Sequence, residues 1–206
     1  LRRDQLDNSL KHVDELEIAL GLESTNERVL RYAVNKVWGL KEHGHAATVA
    51  HEAGATVKTY LLVKPPFLTE REAIDDAIRS GHDADPFSDT ISFNPVNVQS
   101  RTIVDRLFRR GEYRPPWLWS VVEVLERTRD VRAHVKSHPT AGGMARGAHN
   151  CGSCDRKVVN AIEEFSLGLR RDFDDLSCDC KDVWRAYTSN QEFMLTSADP
   201  FAVLES

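Results

Sequence analysis

Residues 55–72 read Ala-Thr-Val-Lys-Thr-Tyr-Leu-Leu-Val-Lys-Pro-Pro-Phe-Leu-Thr-Glu-Arg-Glu, and their order decides the fold. Ala55–Val63 carries β-branched residues and closes on the apolar run Leu61-Leu62-Val63, as a strand of a buried parallel sheet does. Lys64-Pro65-Pro66-Phe67-Leu68 excludes helix, because proline lacks an N–H and its ring disfavours helical backbone in the residue before it. Thr69-Glu70-Arg71-Glu72 is a capping box, which opens a helix predicted to run to about Ser80. Strand, rigid loop and helix make one βα unit.

Working outward, the unit recurs on both sides. Upstream, Leu6, Leu10, Val13 and Leu16 lie near one face of a helix predicted over residues 4–16, and Glu17–Glu23 reads as a strand. Ser24-Thr25-Asn26-Glu27 is another capping box, with Val29, Leu30, Ala33, Val34 and Val37 as the apolar face behind it. A helix over His45–Ala53 stops at Gly54. Downstream, Gly81–Phe87 reads as a loop, Asp89–Val98 as a third strand and Arg101–Arg110 as a helix. Pro115-Pro116 breaks the chain before a helix over Trp117–Arg129, and Val131–Ser137 is a fourth strand. Strands alternating with helices at this spacing predict an α/β fold with a parallel sheet or barrel. In such folds ligands bind at the carboxyl ends of the strands. Polar residues gather there: Glu23 and Ser24, then Lys64, then Asn94, Asn97 and Gln99. Each also has a plainer use, as a helix cap or a loop hydrogen bond.

Composition sets the frame. The 206 residues are 41% hydrophobic and 29% charged, which excludes disordered and collagenous classes. No run of 18 apolar residues occurs and no signal region opens the chain, so a cytoplasmic location is expected. The chain starts Leu1-Arg2-Arg3-Asp4, without Met, and is expected to be a piece of something longer. Residues 101–138 hold nine basic and five acidic side chains, a net +4 inside a chain of net charge −5. That segment suits a polyanionic partner, or simply a solvated helix face.

All four cysteines lie late, as Cys151-x2-Cys154 and Cys178-x-Cys180. Four thiolates at such spacing suit a closed structural zinc site, with an iron–sulfur cluster as the rival and His149 as a competing ligand or a donor to a thiolate. The helix between the pairs, from Arg156 to about Arg170, has Val158, Val159, Ile162, Phe165 and Leu169 to bury.

These stretches carry a resemblance. Gly21-Leu22-Glu23-Ser24-Thr25-Asn26 with Val34-Asn35-Lys36 resembles the fourth strand and helix of the Elp3/MiaB/NifB-like radical SAM superfamily, Tyr60–Thr69 its fifth strand and Asp89–Gln99 its sixth. Arg106–Trp119 (RLFRRGEYRPPWLW) and the cysteine segment resemble one branch, the archaeal radical SAM proteins of archaeosine biosynthesis. The resemblance implies the C-terminal part of a radical SAM partial TIM-type (β/α) barrel over residues 1–138. A small four-cysteine metal module over 139–206 would follow. It implies S-adenosyl-L-methionine (SAM) and a [4Fe–4S] cluster as cofactors, although the CxxxCxxC loop that holds such a cluster is absent from this sequence. The fragment alone is therefore expected to be inactive. The implied reaction is a radical C–N cleavage that turns a lysine-modified deazaguanine of tRNA into archaeosine. Glu23, Ser24, Lys64, Asn94, Asn97 and Gln99 then become SAM or substrate contacts. Arg106, Arg109, Arg110 and Arg114, interleaved with Phe108, Tyr113, Trp117 and Trp119, become the tRNA surface. A partner enzyme of the same pathway is implied, and no membrane. The alternatives are a non-catalytic, zinc-bearing module that binds RNA or a partner, and a radical SAM enzyme with another substrate.

Overall fold

The computed structural model describes residues 1–194. Its elements are α1 (Arg3–Ser9), β1 (Glu17–Glu23), a π-helical segment (Val29–Val34), α2 (Leu40–Glu52), β2 (Thr56–Val63), α3 (Glu70–Ala84), a 3-10 turn (Asp85–Phe87), β3 (Thr90–Pro95), α4 (Ile103–Arg109), α5 (Leu118–Arg127), β4 (His134–Ser137), α6 (Asp155–Ser166) and α7 (Cys180–Met194). The four strands form one parallel sheet in the order β1-β2-β3-β4, so every chain neighbour is a sheet neighbour. This is the α/β order expected from the sequence.

The capping box at Thr69 forms as read. Its hydroxyl accepts from the Glu72 N–H, and the Glu72 carboxylate accepts from the Thr69 N–H at 2.9 Å. The box at Ser24 does not. There the Asn26 side chain accepts from the Arg28 N–H at 3.0 Å and starts a π-helical segment, which ends at Asn35 in a left-handed conformation (φ 60°). Val37, expected inside, is 92% exposed beyond that end. The first helix is also short, covering one stretch of the predicted 4–16 and burying only Leu6. The region expected to loop after Ser80 continues α3 to Ala84. α6 stops at Ser166 and leaves Leu169 exposed.

α2, α3, α5 and α6 pack on one face of the sheet, where Val57, Leu61, Val63, Ile91, Phe93 and Val135 point. The core continues without a break from Leu61 and Phe93 through Leu118, Trp119 and Leu125 to Ile162, Phe173 and Trp184. The cysteine-bearing segment is therefore packed into the same apolar interior as the sheet. Strand register puts Lys58, Tyr60, Leu62, Ser92, Asn94 and Lys136 on the opposite face, which is mostly polar. Lys58 pairs there with Glu17, and burial and the charge of Lys58 both push the Lys136 ammonium below its usual pKa.

Candidate metal centre and strand-end pocket

The CxxC and CxC pairs meet in space. Cys151 Sγ lies 4.0 Å from Cys154 Sγ and 3.7 Å from Cys178 Sγ, and Cys154 Sγ lies 3.6 Å from Cys180 Sγ. All four sulfurs fall within 4.8 Å of one another, an arrangement that can hold a metal ion. Thiolates about 2.3 Å from one tetrahedral zinc stand roughly 3.8 Å apart, which this set matches. A [4Fe–4S] cube puts each thiolate on its own iron corner and spreads the sulfurs to about 6 Å, which this set does not.

Local structure explains the convergence. Gly152 adopts φ +92°, a conformation that L side chains resist, and so lets the chain double back between Cys151 and Cys154. Cys154 is the residue that precedes α6 and Cys180 begins α7, so the two helix starts bring these sulfurs together. The N–H groups of Cys154 and Ser153 lower the Cys151 pKa to about 6. Burial pushes Cys154 up to about 11 and Cys180 higher still. Two further donors reach the sulfurs: Asn150 Nδ2 to Cys154 at 3.4 Å and Trp119 Nε1 to Cys180 at 3.2 Å. His149 is not one of the group, and its ring bonds the Gly147 carbonyl at 2.8 Å. The role expected of it, donating to a thiolate, falls to Asn150 beside it and to Trp119.

At the carboxyl end of the sheet, a cavity of about 420 Å³ lies between the ends of β2, β3 and β4. Asn94 and Asn97 line it with Leu62, Pro66, Ile103 and Val104, and His138 stands at its rim one residue after β4. Gln99 Nε2 donates to Asn97 Oδ1 at 2.9 Å, and Ser92 Oγ donates to Asn94 Oδ1 at 3.3 Å, so both amides are oriented. Glu23, in a left-handed conformation (φ 74°) at the end of β1, faces Lys36 Nζ at 3.5 Å, and Lys36 also donates to the Gly21 carbonyl.

Two strand-end residues expected at a ligand are turned inward instead. Ser24 is fully buried and donates to Asp76 at 2.9 Å, because a carboxylate buried on α3 needs a partner. That burial raises the Asp76 pKa to about 6. Lys64 is 4% exposed and donates to Glu70 Oε2 at 2.6 Å. Glu70 is itself 1% exposed, and its other oxygen accepts from the Trp117 N–H at 2.8 Å and from Ser120 Oγ at 2.6 Å. A buried ammonium is stable only with such a partner, so the Lys64 charge is committed inside the protein. Sequence reasoning misses Glu70, since an acidic residue in a first helical turn reads as ordinary capping chemistry.

Of the arginines, Arg106, Arg109 and Arg110 are exposed along α4 and just after it, with Arg109 bound to Asp105 at 3.1 Å. Arg114 is apart from them. It stacks 4.1 Å over the Trp117 ring and donates to the carbonyls of Pro115 and His149, tying the cysteine loop to α5. Tyr113 and Trp119 are buried and cannot stack on bases; the Tyr113 hydroxyl donates to the Lys64 carbonyl at 2.8 Å.

Fold and site together define a parallel α/β protein in which a four-cysteine cluster, able to hold a metal, is built into the helical layer behind the sheet. The chain is homologous to archaeosine synthase subunit beta. It is 41% identical over 180 residues to that protein of Methanosarcina acetivorans, covering 86% of this chain and 52% of the relative. It is 40% identical over 178 residues to that of Thermococcus kodakarensis, covering 84% of this chain and 55% of the relative. An uncharacterized protein of Methanocaldococcus jannaschii is 33% identical over 190 residues, 89% of this chain and 52% of that one. The chain thus spans about half the length of the curated relatives it matches. Among solved structures, Elp3 of Methanocaldococcus infernus with an N-terminal deletion shares the fold. Its TM-score is 0.58 at 16% identity, over 82% of this chain and 40% of that one. No family model matches. Among the described residues, no helix is long and apolar enough to cross a membrane.

Proposed function

We propose that this chain is the C-terminal part of a radical SAM lyase that cleaves a C–N bond in the lysine-modified deazaguanine of tRNA and leaves archaeosine. What carries the reading is the homology to archaeosine synthase subunit beta over 86% of the chain. Residues 1–138 supply the C-terminal half of the barrel and 139–206 the metal module, of which the residues after 194 lie outside those described. The cluster and SAM, when bound, supply hydrogen-atom abstraction from the substrate. This chain has no CxxxCxxC loop, so it holds no ligands for that cluster and is inactive alone.

Its own residues bind and orient. Glu23 is a carboxylate at a strand end and suits hydroxyl donors such as those of a ribose. Asn94 and Asn97, oriented by Ser92 and Gln99, present both donors and acceptors to a heterocycle, while Leu62, Ile103 and Val104 keep water from it. Ser24 and Lys64 hold the strand ends that carry these groups. The four cysteines hold zinc, by the sulfur spacing above. Arg106, Arg109 and Arg110 pair with tRNA phosphates. A partner enzyme of the pathway fits relatives that are named as subunits.

The test is the full-length protein, its cluster reconstituted without oxygen, given SAM and tRNA bearing the lysine-modified base. Mass spectrometry of the digested tRNA is expected to show archaeosine. SAM cleavage without archaeosine would point to another substrate. A second reading is a non-catalytic zinc-bearing module for RNA or a partner, which the four-cysteine cluster also suits; a full-length protein that takes up no cluster would favour it.

A further inference from the structure

A continuous set of bonds runs from the four cysteines to the strand-end pocket. α7 begins at Cys180, and one turn on, Trp184 Nε1 donates to Ser120 Oγ at 2.9 Å. Ser120 Oγ donates to Glu70 Oε1 at 2.6 Å, and Glu70 Oε2 accepts from Lys64 Nζ at 2.6 Å. Further along α7, Gln191 Oε1 accepts from the Glu70 N–H at 3.0 Å, so the same helix holds the Glu70 backbone directly and its carboxylate through Ser120. Lys64 follows β2 in a left-handed conformation (φ 61°), and two residues later Pro66 lines the pocket beside Asn94 and Asn97. Cys180, Trp184, Ser120, Glu70 and Lys64 are all buried, and Gln191 is half-buried. A displaced α7 therefore cannot be compensated by water at Ser120 or Glu70.

We propose that Glu70 is a positioning residue, linked through Ser120 and Trp184 to the helix that starts at Cys180, so that a metal held by the four cysteines sets the geometry of the β2-end turn and of the pocket it lines. The proposal rests on the reading of the cysteines as a metal site. Zinc fixes the start of α7; α7 fixes Ser120 and Glu70; Glu70 fixes Lys64 and with it Pro66. Neither Glu70 nor Lys64 touches a ligand in this scheme.

The experiment is NMR of the chain with zinc bound and after chelation, read at the Trp184 indole, the Phe67 and Leu68 amides, and the side-chain amides of Asn94 and Asn97. Ser120→Ala combined with Gln191→Ala cuts both bonds from α7 to Glu70 while leaving every cysteine in place and keeping good helix formers in α5 and α7. In the wild type, chelation is expected to shift all of these signals. In the double variant, with zinc bound at the wild-type ratio, chelation still shifts the Trp184 indole but leaves Phe67, Leu68, Asn94 and Asn97 where they are. General loosening of the fold would move the pocket signals in both proteins, so the contrast isolates the link. Pocket signals that do not respond to chelation in the wild type, or that respond equally in the double variant, would overturn the proposal with the metal site intact. A chain that takes up no metal would overturn the metal reading and the proposal together.

Discussion

Cys154 Sγ stands 3.6 Å from Cys180 Sγ although the residues are 26 apart and each stands at the start of a different helix. Holding two helix N-termini this close, with sulfur facing sulfur, is the arrangement of a metal-clamped corner. Such sites form as the chain folds, so metal content and stability rise and fall together. Metal analysis is expected to give about one zinc per chain, by the four-ligand count. Cys178→Ser should lose zinc and lower the melting temperature by roughly 6–12 °C, taking about 3 kcal/mol at 2–4 °C each. Full zinc occupancy in that variant would refute the site.

Glu70 makes a second, independent prediction. Glu70→Ala leaves the Lys64 ammonium buried without its carboxylate and takes the acceptor from Ser120 Oγ and the Trp117 N–H. Breaking one side of a buried pair typically costs about 3–5 kcal/mol. Urea unfolding should show a loss of that size. A loss below about 1 kcal/mol would mean that Lys64 swings to solvent and that the pair is not needed.

The buried groups Asp76 and His43 titrate with opposite consequences. Burial raises Asp76 to about 6 from 3.8, so below the unfolded value both states are protonated, and the cost of ionising it grows as pH rises to about 6 and stays above that. Burial lowers His43 to about 4 from 6.5, where its ring bonds Thr59 Oγ1 at 3.0 Å, so this group destabilises the fold as pH falls from 6.5 to 4. The two slopes oppose each other over nearly one window. Asp76→Asn removes the first alone. Relative to wild type it should gain about 2–3 kcal/mol between pH 4 and pH 7, two pKa units at about 1.4 kcal/mol each. Equal wild-type and variant slopes in urea titrations across that range would contradict the buried assignment.

The exposed arginines should behave as phosphate contacts. Arg109→Ala and Arg110→Ala in the full-length protein are expected to weaken tRNA binding and reduce its salt slope by about one counterion each. Stability should change by no more than about 0.5 kcal/mol in Arg110→Ala, whose side chain is solvated, and by up to about 1 kcal/mol in Arg109→Ala, which also gives up its ion pair with Asp105. Arg114→Ala should do the reverse, because its guanidinium is bound to the Pro115 and His149 carbonyls and stacked on Trp117. It is expected to destabilise the cysteine loop and to leave the salt slope alone. Unaltered tRNA affinity in the first two variants would reduce the basic segment to a solvated helix face.

What is legible in the sequence follows the range of each interaction. β1, β2 and β3, the capping box at Thr69 and the gathering of the four cysteines are legible, because apolar runs, capping geometry and ligand spacing act within a few residues. The metal cluster needs only two short motifs to meet. Ser24 and Lys64 are misplaced by sequence reasoning because their partners, Asp76 and the Glu70–Ser120 pair, are decided by how α3 and α5 dock. A lysine before two prolines reads the same whether it faces a ligand or a buried glutamate. Trp119 is similar: RPPWLW announces aromatics near arginines, but only the packing of α5 under α7 shows that its indole serves Cys180 rather than a base. The π-helical turn before Asn35 leaves no mark, since Val29–Val34 has helical periodicity whichever way its bonds run.

Whether this chain is part of the enzyme that finishes archaeosine, as proposed, is decided by mass spectrometry of tRNA nucleosides from a strain lacking the full gene. Archaeosine is expected to disappear, the lysine-bearing precursor to accumulate, and the wild-type gene to restore archaeosine. Archaeosine at its normal level in the deletion strain, with no precursor, would contradict the proposal.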